Sequence, residues 1–404
     1  MGDFFQGGAI ATFHRLGKTD LPRMERELEV ISRLRGVTLV LPSLFSELAQ
    51  PALRNIVEEL KGARYIREIV VTLGPCSEEE YRFAQEYFSI LPQKTTLMWV
   101  HGPRLRGLLD LIDSSGLSTG PDGKGKQAWL AYGYVIAETN SDVIALHDCD
   151  ITTYTRELLA RLIYPVASPQ LDFEFCKGYY SRVTDRMHGR VSRLFITPLL
   201  RSLMIMVGQR PSLEYFDSFR YPLAGEFSMM TNLARLNRIP SDWGLEIGVL
   251  SEIYRNCSRK RICQAELCEN YDHKHQDMSF DDAGKGLHKM AVEIANSLFT
   301  TLATEDVVYS PGFFNSLRAT YKRIAQDMTV RYHGDAMING LSYDRHGEGL
   351  AVEMFIEAIH KAGEVMERDT LGAPQIPSWN RVFAAIPDFG DRLLAAVAAD
   401  NQIG

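Results

Sequence analysis

Two aspartates one residue apart, Asp148 and Asp150, close an apolar run in the stretch ALHDCDIT at residues 145–152. Carboxylates at the end of a buried strand can do two kinds of chemistry. In D-x-D-x-T phosphatases the first aspartate attacks phosphorus and the second is the general acid, and Thr152 completes that pattern here. In nucleotide-sugar transferases such acids hold a divalent metal that neutralises the departing diphosphate. A bland third reading has the pair capping a helix or holding a turn.

The phosphatase reading also needs a later acidic pair, placed after another apolar strand. The only adjacent pair of aspartates downstream, Asp281 and Asp282 in HQDMSFDDAGKG, follows no such run. The transferase reading needs a lysine near the diphosphate, and GPDGKGKQAW at residues 120–129 places Lys124 on a glycine-rich turn. That turn matches G-x-x-x-x-G-K. However, Gln127 replaces the hydroxyl residue that a P-loop turns toward magnesium, and the preceding SSGLST is not a strand. Arg182, Arg186, Arg190 and Arg193, with His188, crowd into one stretch where Asp185 is the lone acid. Such a cluster can be a solvated helix face. In an acidic chain it also suits a ligand bearing phosphate and carboxylate.

These residues need a scaffold. Residues 37–41, 69–73, 95–100 and 143–147 are short, β-branched apolar runs, and helix-like stretches cover 47–61 and 78–88. Strands alternating with helices predict an α/β fold with a Rossmann-like sheet, whose ligands bind beyond the strand carboxyl ends. ALHDCDIT is then expected on the fourth strand, and Pro42 to end the first. From about Gly284 helical spacing takes over, beginning with Leu287, Met290, Ala291, Ile294 and Leu298 and returning over 313–330, 349–366 and 379–399. We therefore expect a catalytic domain over 1–283 and a helical region over 284–404 that wraps the core or makes a homodimer contact.

The 404 residues carry a net charge of −7 with 45% hydrophobic content, which fits a globular enzyme and argues against a nucleic-acid binder. No run of roughly 18 apolar residues suggests a membrane span. The first residues lack the order of a signal peptide, and Gln6 stands where a myristoylation motif wants Ser or Thr. Six cysteines without a C-x-x-C pair point to the cytoplasm, although Cys257, Cys263 and Cys268 cluster loosely enough to raise a zinc site.

Seven ordered motifs, LPSL, GKGKQAW, HDCDI, GRVSRLFITPLL, YPLAGEF, DWGLEIGVL and YDHKH, together resemble the glucosyl-3-phosphoglycerate synthases over roughly residues 37–280. That family implies a GT-A fold: a mixed sheet with flanking helices and, here, a helical C-terminal region. It implies retaining, Mg²⁺- or Mn²⁺-dependent transfer of glucose from UDP- or GDP-glucose to 3-phosphoglycerate in compatible-solute synthesis. Close relatives make mannosyl-3-phosphoglycerate or glucosylglycerate. Carried over by position, Pro42, Ser43, Leu44 and Glu47 would line the base and ribose pocket. Lys124 would contact the donor and Asp148 the ribose, while Asp150 and His273 would bind the metal. Gly189, Arg190, Ser192 and His275 would hold the acceptor. Gly225, Trp243 and Glu246 would shape the sugar site, with Glu246 near the sugar hydroxyls. The chain departs from the family at Phe45 and Ser46, where it has asparagine and glutamate, at Ser192, usually threonine, and at His275, usually asparagine.

Overall fold

The computed structural model describes residue 6 and residues 8–272, 286–369 and 375–402. The strands are β1 (Ala11–Phe13), β2 (Val37–Leu44), β3 (Glu68–Gly74), β4 (Lys94–Trp99), β5 (Val143–Leu146), β6 (Phe175–Tyr179), β7 (Phe227–Met230) and β8 (Ile262–Glu266). They form one eight-stranded sheet in the order β1-β8-β6-β7-β5-β2-β3-β4. Pairing is parallel except at β7, which runs antiparallel to both β5 and β6. The mixed sheet is therefore the expected one, but ALHDCDIT follows the fifth strand in chain order. The short strand β1 near the N-terminus has too little pattern to be read from sequence.

Alternate strand residues face opposite sides of a sheet. Val40, Val70 and Met98 accordingly enter one core, while Leu39, Leu41, Ile69 and Val71 enter the other. Burial on both faces explains why these strands read as unbroken apolar runs. Pro42 does not end β2, which continues to Leu44. By then only the β3 side is still paired, because the β5 ladder stops at Val40. A missing N–H is tolerated there.

The stretch expected as one helix over 47–61 is split into a 3-10 turn, Phe45–Ala49, and a helix, Pro51–Leu60. Gln50 is extended (φ −88°, ψ 144°), as a residue before proline should be. The helix at 78–88 forms as expected, opened by a capping box between Ser77 and Glu80.

Beyond Gly286 the described residues form helices Gly286–Ala303, Pro311–Ile338, Arg345–Arg368, Trp379–Ala385 and Phe389–Asn401. The core holding Val40 also holds Leu298, Tyr321, Phe355 and Trp379 from these helices. Trp379 stacks on Trp129 with ring centroids 4.2 Å apart, and each indole N–H donates to a backbone carbonyl on the other's side of the contact. No described helix is long and apolar enough to cross a membrane.

Candidate active site

The helix Lys124–Glu138 begins at the glycine-rich turn and points its N-terminus toward the end of β5. Lys124 is its first residue. Its ammonium lies 2.6 Å from Asp148 Oδ1 and 2.9 Å from Glu246 Oε1, the latter from the first turn of the helix Leu245–Asn256. Burial alone would lower the lysine's proton affinity, but the two carboxylates outweigh it and hold the group well above its ordinary value. The turn follows a helix, Pro103–Ser114, rather than a strand, so it is not a P-loop. A helix N-terminus carrying a fixed cation is suited to a diphosphate.

Gly225 packs against Asp148 so closely that a Cβ there would sit 2.4 Å from its Oδ2. Its neighbour Glu226, fully buried, accepts hydrogen bonds from Tyr180 and Tyr271 at 2.6 Å each. Burial and the Asp148 charge push the Glu226 carboxyl up, and the two hydroxyls pull it back. Lys177, also buried, donates to Ala224 O at 2.5 Å and lies over the Phe227 ring. Burial lowers its pKa to about 8. Sequence reasoning missed Lys177, Glu226, Tyr180 and Tyr271. Their traces are the lysine and final tyrosine of FEFCKGYY, the acid directly after Gly225, and the tyrosine that opens YDHKH.

Pro42, Ser43 and Leu44 occupy the end of β2, the neighbour of β5, with Ser43 against the Cys149 thiol. Glu47 is buried on the 3-10 turn that follows. Asp150 lies partly buried beyond Asp148. Trp243 stays at the rim, 36% exposed, with its backbone N–H held by Glu293. His273 and His275 lie outside the described residues, as do Asp281 and Asp282. The segment leading to them is tied to the site, since Thr152 donates to Asp272 O through both N–H (2.9 Å) and hydroxyl (3.0 Å).

The acceptor candidates connect to the Lys124 cluster through Tyr221, which takes a hydrogen bond from Arg182 and packs on the Tyr180 that donates to Glu226. Gly189 adopts φ +73°, which opens the π-turn Val191–Ile196. Ser192 is buried there, and its hydroxyl has no partner among the described residues. The arginines are not opposed by Asp185 alone. Arg190 Nε and Arg193 Nη1 share the carboxylate of Glu348, at 2.7 and 2.9 Å, from the helix Arg345–Arg368. Arg186 pairs with Asp185, and Arg182 donates to the Tyr221 hydroxyl at 3.1 Å.

For a metal, the relevant donors are the two carboxylates past β5, whose oxygens suit magnesium or manganese. Among the described residues no three His, Cys, Asp or Glu converge as a ligand set. Of the expected ligands, Asp150 is described beyond the end of β5, and His273 lies outside the described residues. All six cysteines are free thiols.

No family profile matches the chain. Over 402 residues, the whole of both chains, it is 44% identical to the glucosyl-3-phosphoglycerate synthase of Persephonella marina. It is 39% identical to the enzyme of that name from Methanococcoides burtonii over 404 residues and 98% of each chain. The chain belongs to the glucosyl-3-phosphoglycerate synthase family. Among solved structures, the glucosyl-3-phosphoglycerate synthase of Mycobacterium tuberculosis with Mn²⁺, UDP-glucose and phosphoglyceric acid superposes with a TM-score of 0.54. The match is 20% identical and covers 74% of this chain and 89% of that one. The mannosyl-3-phosphoglycerate synthase of Rubrobacter xylanophilus gives 0.54 at 20% identity, over 74% and 84%. At that identity the likeness concerns the fold, a GT-A glycosyltransferase. Membership of the glucosyl-3-phosphoglycerate synthase family makes the protein a glycosyltransferase and removes the phosphatase reading of ALHDCDIT. Thr152, which that reading needs near phosphate, instead holds the segment before His273.

Proposed function

We propose that this glycosyltransferase moves glucose, with retention, from a nucleoside diphosphate glucose to the one free hydroxyl of 3-phosphoglycerate. The observation that carries the reading is Lys124, held between Asp148 and Glu246 at a helix N-terminus beyond β5. The end of β2 takes the base and ribose, with Pro42, Ser43, Leu44 and Glu47 lining it and Asp148 at the ribose. Lys124 meets the diphosphate. Glu246, with Gly225 and Trp243, frames the glucose. Gly189, Arg190 and Ser192, with His275, take the acceptor.

Asp150 and His273 would hold Mg²⁺ or Mn²⁺, which when bound stabilises negative charge on the departing diphosphate. The acceptor oxygen attacks the anomeric carbon from the face that the diphosphate leaves. The bond to the phosphate oxygen breaks with its electron pair on that oxygen, which then takes the acceptor proton. Lys124 sits where that charge develops, so it stabilises the transition state more than the ground state.

We also propose that the protein works in the cytoplasm as a homodimer. Its free cysteines and the exposed Val330, Met337 and Ile338 of the helix Pro311–Ile338 support this. Light scattering at micromolar concentration reads the mass directly.

The decisive assay is a donor and acceptor matrix with metal-stripped protein, to which Mg²⁺ or Mn²⁺ is returned. UDP-glucose, GDP-glucose and GDP-mannose are each offered 3-phosphoglycerate and glycerate, and nucleoside diphosphate release is followed. Metal-dependent release from a glucose donor with 3-phosphoglycerate is expected. Turnover confined to GDP-mannose or to free glycerate would overturn the reading.

A further inference from the structure

We infer that Glu348 is a positioning residue for the acceptor site: it fixes the Arg190 guanidinium and thereby favours a phosphorylated acceptor. The inference rests on the acceptor role proposed above for Arg190.

Glu348 is almost fully buried, yet it lies beyond the catalytic motifs in sequence, on a helix of the C-terminal region. A buried carboxylate with one partner is costly, and replacing such a pair by apolar groups is often neutral or stabilising. Packing alone therefore gives little reason for a carboxylate here. Glu348 instead takes one N–H from each of two arginines, Nε of Arg190 and Nη1 of Arg193. Holding Nε fixes the plane of the Arg190 fork, and fork orientation decides whether an arginine can grip a phosphate at two points.

The carboxylate is itself rigidly placed. Arg193 donates from Nε to His188 O at 2.9 Å and stacks 4.9 Å over the Tyr332 ring, so it serves as an anchor. Asp344 caps the helix through Gly347 N–H at 2.9 Å. Ser342 N–H and hydroxyl both donate to Asp185 O, at 2.9 and 3.1 Å, which docks the helix entry onto the arginine loop itself. Among the described residues, the arginines of the stretch 182–193 meet two carboxylates, Asp185 and Glu348. Glu348 thus orders two arginines while adding a single negative charge.

The test compares wild type with Glu348→Gln and Glu348→Asp, using 3-phosphoglycerate and glycerate as acceptors. Wild type must first turn over 3-phosphoglycerate; if it does not, the functional reading fails and this inference fails with it. Given that turnover, Glu348→Gln should raise the KM for 3-phosphoglycerate about tenfold and cut the preference for it over glycerate by a similar factor. The donor KM and saturating kcat should stay near wild type. Glu348→Asp keeps the charge with a shorter reach and should fall between, and it is the measured variant should the glutamine form not fold. An unchanged acceptor KM, or an equal loss with both acceptors and with the donor, would overturn the inference, since the latter marks a merely structural ion pair.

Discussion

Tyr180 and Tyr271 lie face to face, ring centroids 3.7 Å apart and planes 3° from parallel, and both hydroxyls end on Glu226. This joins the end of β6, the segment running toward His273 and the loop of Gly225 and Glu226 that enters β7. Removing one donor from a buried carboxylate costs about 1–3 kcal/mol. Tyr271→Phe should therefore lower the melting temperature. The stack survives the change, but the tie from Tyr271 to Glu226 is lost, so the segment before His273 should loosen and Mn²⁺ binding should weaken. Titration calorimetry with Mn²⁺ checks this, and wild-type affinity in the variant would refute the coupling.

Lys124 bears on the reaction most directly. Lys124→Met keeps the length of the side chain but leaves Asp148 and Glu246 facing each other without their cation. Losing a preorganised group at the developing charge typically costs about 10²–10³ in rate. We expect kcat/KM to drop by about that factor, and Lys124→Arg not to restore it, because a planar fork cannot fill a pocket built for a point charge. Steady-state kinetics beside a thermal melt separates lost chemistry from lost fold.

Much of this site was legible because strand ends and glycine turns leave local marks. Asp148 closes an apolar run, and Lys124 sits among glycines. Glu348 left no mark near the site, since its partners Arg190 and Arg193 lie about 160 positions earlier in the chain. Glu226 and Lys177 are single polar residues inside buried strands or their approaches, and their satisfaction by Tyr180, Tyr271 and Ala224 O is tertiary. The sheet shows the same division. Strands β2 to β5 each carry an apolar run that reads as a strand, whereas β1 is only three residues long and β6, β7 and β8 are interrupted by Lys177, Ser228 and Gln264.

Gly225 tests the geometry around Asp148 without touching a charge. Its alanine form would place a methyl 2.4 Å from Asp148 Oδ2, so the carboxylate must swing away or the loop must shift. Either movement separates Asp148 from Lys124. We expect Gly225→Ala to fold, with an unchanged far-ultraviolet circular dichroism spectrum, and to lose at least about tenfold in kcat/KM, because a misplacement of about 1 Å can cost 10²-fold. Near-normal turnover would show that the contact with Gly225 does not set the position of Asp148.

Lys177 gives the fold a pH signature. Burial lowers its pKa to about 8, against an ordinary 10.5. Between these values the unfolded chain still binds a proton that the folded chain has released, so stability rises with pH across that window. Read downward, the contribution is complete above 10.5 and is lost as pH falls through 8. Below that both states are protonated and nothing further changes. Each tenfold difference in proton affinity is worth about 1.4 kcal/mol. In urea unfolding, wild type should therefore gain on Lys177→Met between pH 8 and 10.5 by a few kcal/mol in total, whatever their offset at pH 7. Parallel stability curves across that window would mean that Lys177 keeps its proton in the folded state, held by the Ala224 carbonyl and the nearby carboxylates.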